Sequence, residues 1–311
     1  MIITLSLNPS IDNTLDVENY KHRGVNNIIN SETDAGGKGI NTAKNLKMMG
    51  KEPITVGFIA GDSGVYLKKM LDKSGIKNDF IPVYGETRTN TKIIEENGEI
   101  TELNEKGPDI SEERIKELMF KLEGYAVSGG IFVLSGNSKN CSDQDIYRKI
   151  ISLAHSRDVR TVVGIDSENP MDIISEKPEV LKFKLKDICR MKNISEEKAD
   201  DKFISNTMKE LIESGIDIIA LSCGEKGAYF ADKSGVIKCP GLKIKKHSTV
   251  GAGDAMLAGL VYGYEKKLGL EKIAELSMAM SAGAIATIGT KPPSKENVEE
   301  LKGMVEKIYL T

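Results

Sequence analysis

Residues Ser248-Thr249-Val250-Gly251-Ala252-Gly253-Asp254 run directly into Ala255-Met256-Leu257-Ala258-Gly259-Leu260-Val261, and the reading of this junction decides the rest. Two glycines leave the backbone open to close approach, and the apolar run behind them has the pattern of a buried helix. A helix starting here aims its unpaired N–H groups and the positive end of its dipole back at the loop. The amides of Gly251, Ala252 and Gly253 are therefore an expected anion site. Asp254 adds a carboxylate to the same small volume, and an anion nest beside a carboxylate suits transfer of a phosphoryl group to a hydroxyl. The competing reading is an aspartate that only caps a core helix, so other segments must decide.

A second glycine-rich loop, Ala35-Gly36-Gly37-Lys38-Gly39, leads into Ile40, Ala43, Leu46 and Met49 at helical spacing, with Gly50 as the expected C-cap. Lys38 and Asn41 at its head suit an anionic, hydroxyl-rich ligand; a tight turn with a solvated lysine is the alternative. Outward from these loops the chain alternates strand and helix patterns. Strand-like runs fall at 2–7, 54–58, 131–134, 161–165, 216–221 and 229–230, and helical periods near 63–73, 111–123, 142–157 and 200–214. Two more helical stretches, near 271–288 and 294–309, follow the Asp254 helix. Repeated βα units predict a mostly parallel central sheet flanked by helices. Ligands of such sheets bind beyond the carboxyl ends of the strands, where residues 8–12, 135–137 and 166–167 fall; Asp12 lies just past the Asn8-Pro9-Ser10 turn.

The alternation breaks twice. Residues of approximately 13–34 hold short β-type pieces without a helical period, and those of approximately 88–104 alternate around Asn97-Gly98, a strong hairpin signal. These insertions predict a small β-sheet standing off a single domain that spans residues 1–311. A small sheet cannot bury both faces alone, so it is expected to serve as a lid or a dimer partner.

Composition narrows the class. Lysine and arginine number 43 against 46 acidic residues, for a net charge of −3, and this mixed balance points away from nucleic acid and from anionic membranes. No run is long and apolar enough for a membrane span, and no basic leader precedes the first strand. Cys141, Cys189, Cys223 and Cys239 form no CxxC pair, which suits reduced thiols and a cytoplasmic protein. His22, His155 and His247 show no metal-ligand spacing.

Five segments then carry a resemblance. Asn8-Pro9-Ser10-Ile11-Asp12, Ala35-Gly36-Gly37-Lys38-Gly39-Ile40-Asn41, Gly85-Glu86-Thr87-Arg88, Thr101-Glu102-Leu103-Asn104 and the 248–254 stretch stand in the order, and close to the spacing, of one sugar-kinase family. The chain resembles the 1-phosphofructokinase and tagatose-6-phosphate kinase branch of the ribokinase-like (PfkB) kinases over nearly its whole length. The resemblance implies an α/β ribokinase-like core with a β-sheet lid, ATP with Mg2+, a phosphorylated ketohexose as acceptor, and a homodimer through the lid. It implies Asp254 as general base, with Gly251, Ala252 and Gly253 as the anion hole. Asp12 and Asn41 become ligands of sugar hydroxyls, Gly36, Gly37 and Lys38 hold the sugar end, and Arg88 takes the acceptor's phosphate. Lys182, Ser222, Gly224 and Ser248 fall on the nucleotide side, with Gly283 packing near adenine.

The chain also departs from that pattern. Where the family has Lys-Pro-Asn-x-x-Glu, which organises magnesium and the ATP phosphates, this sequence reads Lys182-Phe183-Lys184-Leu185-Lys186-Asp187. Only Lys182 and, by charge, Asp187 survive, which leaves Asp187 as an indirect metal candidate. A lysine cannot accept from magnesium-bound water as an amide oxygen can, although Lys184 can neutralise phosphate charge. The plain alternative is an alternating edge strand with solvated lysines. A basic residue common in the first lid insertion is replaced by Asn27, with Lys21 and Arg23 as substitutes. The leading expectation is a kinase converting fructose 1-phosphate to fructose 1,6-bisphosphate, with tagatose-6-phosphate kinase as the alternative. An inactive paralogue that binds a sugar phosphate or nucleotide for regulation is the reading from another class. A kinase of unphosphorylated sugars or nucleosides follows if Arg88 points away from the pocket.

Overall fold

Short runs of branched and aromatic residues buried on both faces build the main sheet. In the computed structural model, which describes residues 1–97, 99–165, 170–245, 247, 249–287 and 289–310, the strands in chain order are β1 (Ile2–Ser6), β2 (Ser10–Val17), β3 (Ile28–Gly36), β4 (Ile54–Ala60), β5 (Lys77–Val83), β6 (Arg88–Glu95) and β7 (Ile100–Asn104). They continue as β8 (Ile131–Gly136), β9 (Arg160–Ile165), β10 (Val180–Lys184), β11 (Ile218–Ser222), β12 (Ala228–Asp232), β13 (Gly235–Cys239) and β14 (Ile308–Leu310). Ten of them, among the described residues, form one sheet in the order β14-β13-β12-β11-β10-β9-β8-β1-β4-β5. From β11 to β5 every pairing is parallel, and β12, β13 and β14 add an antiparallel edge.

Alternate residues of each strand feed opposite cores. Ile3, Leu5, Phe132 and Leu134 pack with Leu118, Ile150 and Met208 of the helices Glu112–Tyr125, Ile146–Ser156 and Asp201–Glu213. Ile2, Ile131 and Val133 face the other way, toward the helices Ala252–Glu265 and Leu270–Ala286. Each fully buried side chain of this size contributes roughly 1.5–3 kcal/mol, so the sheet is held from both sides. Among the described residues no helix is long and apolar enough to cross a membrane, and all four cysteines are free thiols.

The remaining strands make a four-stranded sheet in the order β3-β2-β6-β7. β2 runs antiparallel to β3 but parallel to β6, in a register that sets Ser10 beside Arg88 and Asp12 beside Asn90. Asn90 in turn faces Asn104 across the β6–β7 hairpin.

Three expectations need correction. The helix near 294–309 ends at Lys302, and Ile308–Leu310 pairs antiparallel with β13 instead, because the helix stops at Gly303 and the β-type tail finds an open sheet edge. The segment around Lys182 is no edge strand: β10 lies between β9 and β11, parallel to both, with Lys182 only 8% exposed. Asp12 lies within β2, not in a loop. β5 and β13 are additional strands, whose mixed polar sequences hid the period.

Candidate active site

The helix Ala252–Glu265 starts from Gly251, whose φ of 84° is a left-handed conformation that side chains resist. The amides of Asp254 and Ala255 return to the Gly251 carbonyl at 3.1 and 2.9 Å. The amides just ahead, of Ala252 and Gly253, are those a helix leaves without an intrahelical acceptor. Asp254 is buried, and its Oδ2 accepts a hydrogen bond of 2.9 Å from Asn41 Nδ2. Asn41 belongs to the helix Lys38–Met48, so the two glycine-rich loops meet side chain to side chain across 213 residues of sequence. Lys182 approaches from β10, its Nζ 3.4 Å from where a β-carbon on Gly253 would stand.

The small sheet supplies the opposite wall. Asp12 is buried, and its Oδ1 accepts from Ser10 Oγ at 2.7 Å and from Asn90 Nδ2 at 3.0 Å. Gly36 on β3 is required here, since a β-carbon would stand 2.3 Å from Asp12 Oδ2. Arg88 donates to the Asn8 carbonyl through Nε and Nη2 at 3.3 and 3.2 Å, and to Asn90 Oδ1 through Nη1 at 3.3 Å. Burial lowers its pKa from the ordinary guanidinium value, against the pull of Asp12 and Glu105, and an arginine so placed stays cationic. Its hydrogen bonds fix the direction of the fork while leaving it without a bonded carboxylate among the described residues.

These groups enclose a cavity of about 420 Å3 lined by Asp12, Gly37, Lys38, Asn41, Arg88, Asn90, Asn104, Gly251, Gly253 and Asp254. A second, less polar cleft of about 750 Å3 adjoins it, lined by Ser222, Gly224, Gly227, Leu242, Ile244, Met256, Met278, Ala282 and Ile285. Lys182, Lys184, Thr249 and Gly253 border both, so the anion loop and two lysines sit where the cavities join. Both volumes suit small-molecule ligands.

Most of the residues singled out from sequence come together. Asp12, Gly37, Lys38, Asn41, Arg88, Gly251, Gly253 and Asp254 line the polar cavity, and Gly36 backs Asp12. Ala252, Ser222 and Gly224 line the larger cleft, although the Ser222 hydroxyl also donates to the Phe183 carbonyl at 3.0 Å and ties β11 to β10. Gly283 is turned elsewhere: a β-carbon on it would meet Pro293 at 2.7 Å, while Ser281, Ala282 and Ile285 face the cleft. Ser248 and residues 166–167 lie outside the described residues. Asn90 and Asn104 also line the polar cavity; the sequence had singled out the segment of Asn104 without giving that residue a role, and had passed over Asn90. The signal for Asn90 was there, because a strand containing Arg88 puts residue 90 on the same face.

Asp187 is buried in the first turn of the helix Leu185–Met191 and lines the polar cavity, and its Oδ2 accepts from the Lys184 amide at 3.0 Å. Among the described residues no group of three or more His, Cys, Asp and Glu is arranged to hold a metal ion. A magnesium ion carried in by nucleotide phosphates needs only one or two protein carboxylates, and Asp187 fits that requirement.

A carboxylate at a helix-start anion loop, facing a polar pocket and an adjoining cleft under an accessory sheet, defines a phosphotransferase of the sugar-kinase type. Residues 5–297 match the description of the pfkB family carbohydrate kinases, and the chain belongs to that family. It is 36% identical over 275 residues, 87% of each chain, to a 1-phosphofructokinase of Borreliella burgdorferi. It is 29% identical over 272 residues, 85% of each chain, to a tagatose-6-phosphate kinase of Staphylococcus epidermidis. In fold it is similar to phosphofructokinase-2 from Escherichia coli, solved with substrates and products, with a TM-score of 0.91 at 22% identity over 97% of this chain and 98% of that one.

Proposed function

We propose that the protein transfers the terminal phosphoryl group of ATP to a hydroxyl of a ketohexose phosphate, with fructose 1-phosphate as the preferred acceptor and tagatose 6-phosphate as the alternative. The observation that carries this reading is the Asn41–Asp254 hydrogen bond in the polar cavity, one residue along the chain from Gly253, which borders the larger cleft as well. It sets a carboxylate where an acceptor hydroxyl, held on one side, meets a phosphate chain arriving from the other. The more similar 1-phosphofructokinase relative supports the order of the two acceptors.

In this mechanism Asp12 and Asn41 accept hydrogen bonds from the sugar hydroxyls, Gly36, Gly37 and Lys38 hold the sugar end, and Arg88 takes the phosphate already on the acceptor. Asp254 receives the proton of the attacking hydroxyl as the new O–P bond forms and the bond to the ADP oxygen breaks. The amides of Gly251 to Gly253, with Lys182, hold the charge that spreads over the transferred group. Asp187 would hold Mg2+, which would supply charge neutralisation at the nucleotide phosphates. Ser222 and Gly224 border the nucleotide; Ser248 belongs to the same set. The small sheet acts as a lid, pairs with its copy in a homodimer, and works in the cytoplasm, where the four free thiols are at home.

The test is ADP release measured with fructose 1-phosphate, tagatose 6-phosphate and an unphosphorylated ketose. Turnover confined to the phosphorylated acceptors is the expected result. Binding of a sugar phosphate without any turnover would instead make the protein a regulatory binder, the reading to which Lys184, in place of an amide, leaves room.

A further inference from the structure

Lys92 stands two residues beyond Asn90 on β6, on the same face as Arg88 and Asn90. It is 5% exposed, and its Nζ has no hydrogen-bond acceptor among the described residues. Asp12 Oδ2 lies 3.8 Å away, which is ion-pair distance without a hydrogen bond. Burying an ammonium in this way is costly, and as a device for stability alone it is poor, since an apolar side chain of similar size would do better. The carboxylate it faces explains it. Asp12 Oδ1 is already committed to Ser10 and Asn90, whereas Oδ2 accepts no hydrogen bond among the described residues. Oδ2 is thus the oxygen available to an acceptor hydroxyl, in a cavity that loses its water when the sugar enters.

The other buried lysine nearby does not do this work. Lys44, from the helix Lys38–Met48, has its Nζ 4.0 Å from Asp34 Oδ1 on β3. Burial holds its own pKa below the ordinary lysine value, against the pull of Asp34 first and of Asp12 second, and its ion-pair partner is Asp34. Arg88 spends its hydrogen bonds on Asn8, Asn90 and the Glu105 carbonyl. Lys44 and Arg88 both feel the Asp12 charge, but among the described residues Lys92 alone stands at ion-pair distance from that carboxylate.

We infer that Lys92 is a positioning residue for acceptor recognition: its buried ammonium, facing Asp12 Oδ2, holds that oxygen in place for an acceptor hydroxyl, so that sugar-hydroxyl binding is set from behind the wall that touches the sugar. The inference rests on the kinase reading above and adds to it a residue that contacts neither substrate.

Steady-state kinetics of the full chain with fructose 1-phosphate and tagatose 6-phosphate at saturating ATP, together with calorimetric ATP binding, test it. For Lys92→Met the acceptor KM should rise about 30-fold, with kcat within about threefold and ATP affinity unchanged. Lys92→Arg, which restores the charge, should recover most of the loss. An unchanged acceptor KM beside a lowered Tm would make Lys92 a mere fastener of the small sheet and overturn the inference. So would a fall in kcat or ATP affinity matching the rise in KM. If Lys92→Met does not fold, Lys92→Gln is read by the same criteria. Absence of turnover by the unaltered protein sinks the kinase reading itself, whereas normal turnover with an indifferent Lys92 sinks only the positioning role.

Discussion

The two cavities that join at Lys182 and Gly253 are built by opposite means. The polar one takes Asp12, Asn41, Arg88, Asn90 and Asp254 from segments far apart in the chain and ties each to another by hydrogen bonds. The larger cleft is lined by small and apolar residues such as Gly224, Gly227, Leu242, Met256 and Ala282, which offer surface and room. Apolar contact is paid back by area and tolerates small changes. A polar cavity does not, because each group removed strands a partner at a cost of about 1–3 kcal/mol. On the proposed function, discrimination between acceptors is therefore concentrated in the first, and tolerance in the second.

The sharpest way to break this contrast is Asp254→Asn. Loss of the proton acceptor should lower kcat on the order of 10²-fold or more, with acceptor KM changed little; a kcat near that of the parent enzyme would remove Asp254 from the chemistry. Next comes Arg88→Ala, expected to raise the KM of phosphorylated ketoses about 30-fold while leaving unphosphorylated ones alone. Equal effects on both would show that the arginine serves the wall and not the phosphate. Gly36→Ala drives a β-carbon to 2.3 Å from Asp12 Oδ2, and about a tenfold rise in acceptor KM with a lowered Tm is the expected result.

On the other side of the junction, Ala282→Leu intrudes into the cleft, where about a fivefold loss of ATP affinity, measured by calorimetry, is expected without change in acceptor KM. The smallest kinetic effect should come from β5, which borders neither cavity. Burial pushes the Asp79 carboxyl up, but hydrogen bonds from Lys121 at 2.6 Å and Tyr125 at 2.8 Å outweigh it, and the net shift is downward. A lowered folded-state pKa gives stability that is present above the ordinary carboxylate range and lost as pH falls through the lowered value. Asp79→Asn should therefore have a lower Tm near neutral pH, a gap that narrows in acid, and both KM values unchanged.

Legibility followed the range of the forces involved. Asp254, its glycines and the Lys38 loop could be read because a helix start and the backbone it needs are local matters, decided within a few residues. For Lys182 the sequence left a nucleotide-side lysine beside the alternative of a solvated edge strand, because a lysine inside a parallel strand contradicts propensity; only the neighbours β9 and β11 bury it and remove that alternative. Gly283 was misassigned because one face of a helix cannot be told from the next until Pro293 packs on it. Lys92 and Asn90 followed Arg88 at the strand period, yet nothing nearby in sequence says that Asp12 waits across from them.

By itself the sequence determined the alternating βα order, the two glycine-rich loops that open helices, and the carboxylate at the head of the later one, since steric limits on the backbone and side-chain periodicity act on neighbours. The tertiary structure alone decided the parallel register of β2 on β6, which sets Asp12 beside Asn90, the reach of Asn41 to Asp254, and the pairing of Lys92 with Asp12. No tight turn links two parallel strands, so their register is chosen by the packing of the whole molecule.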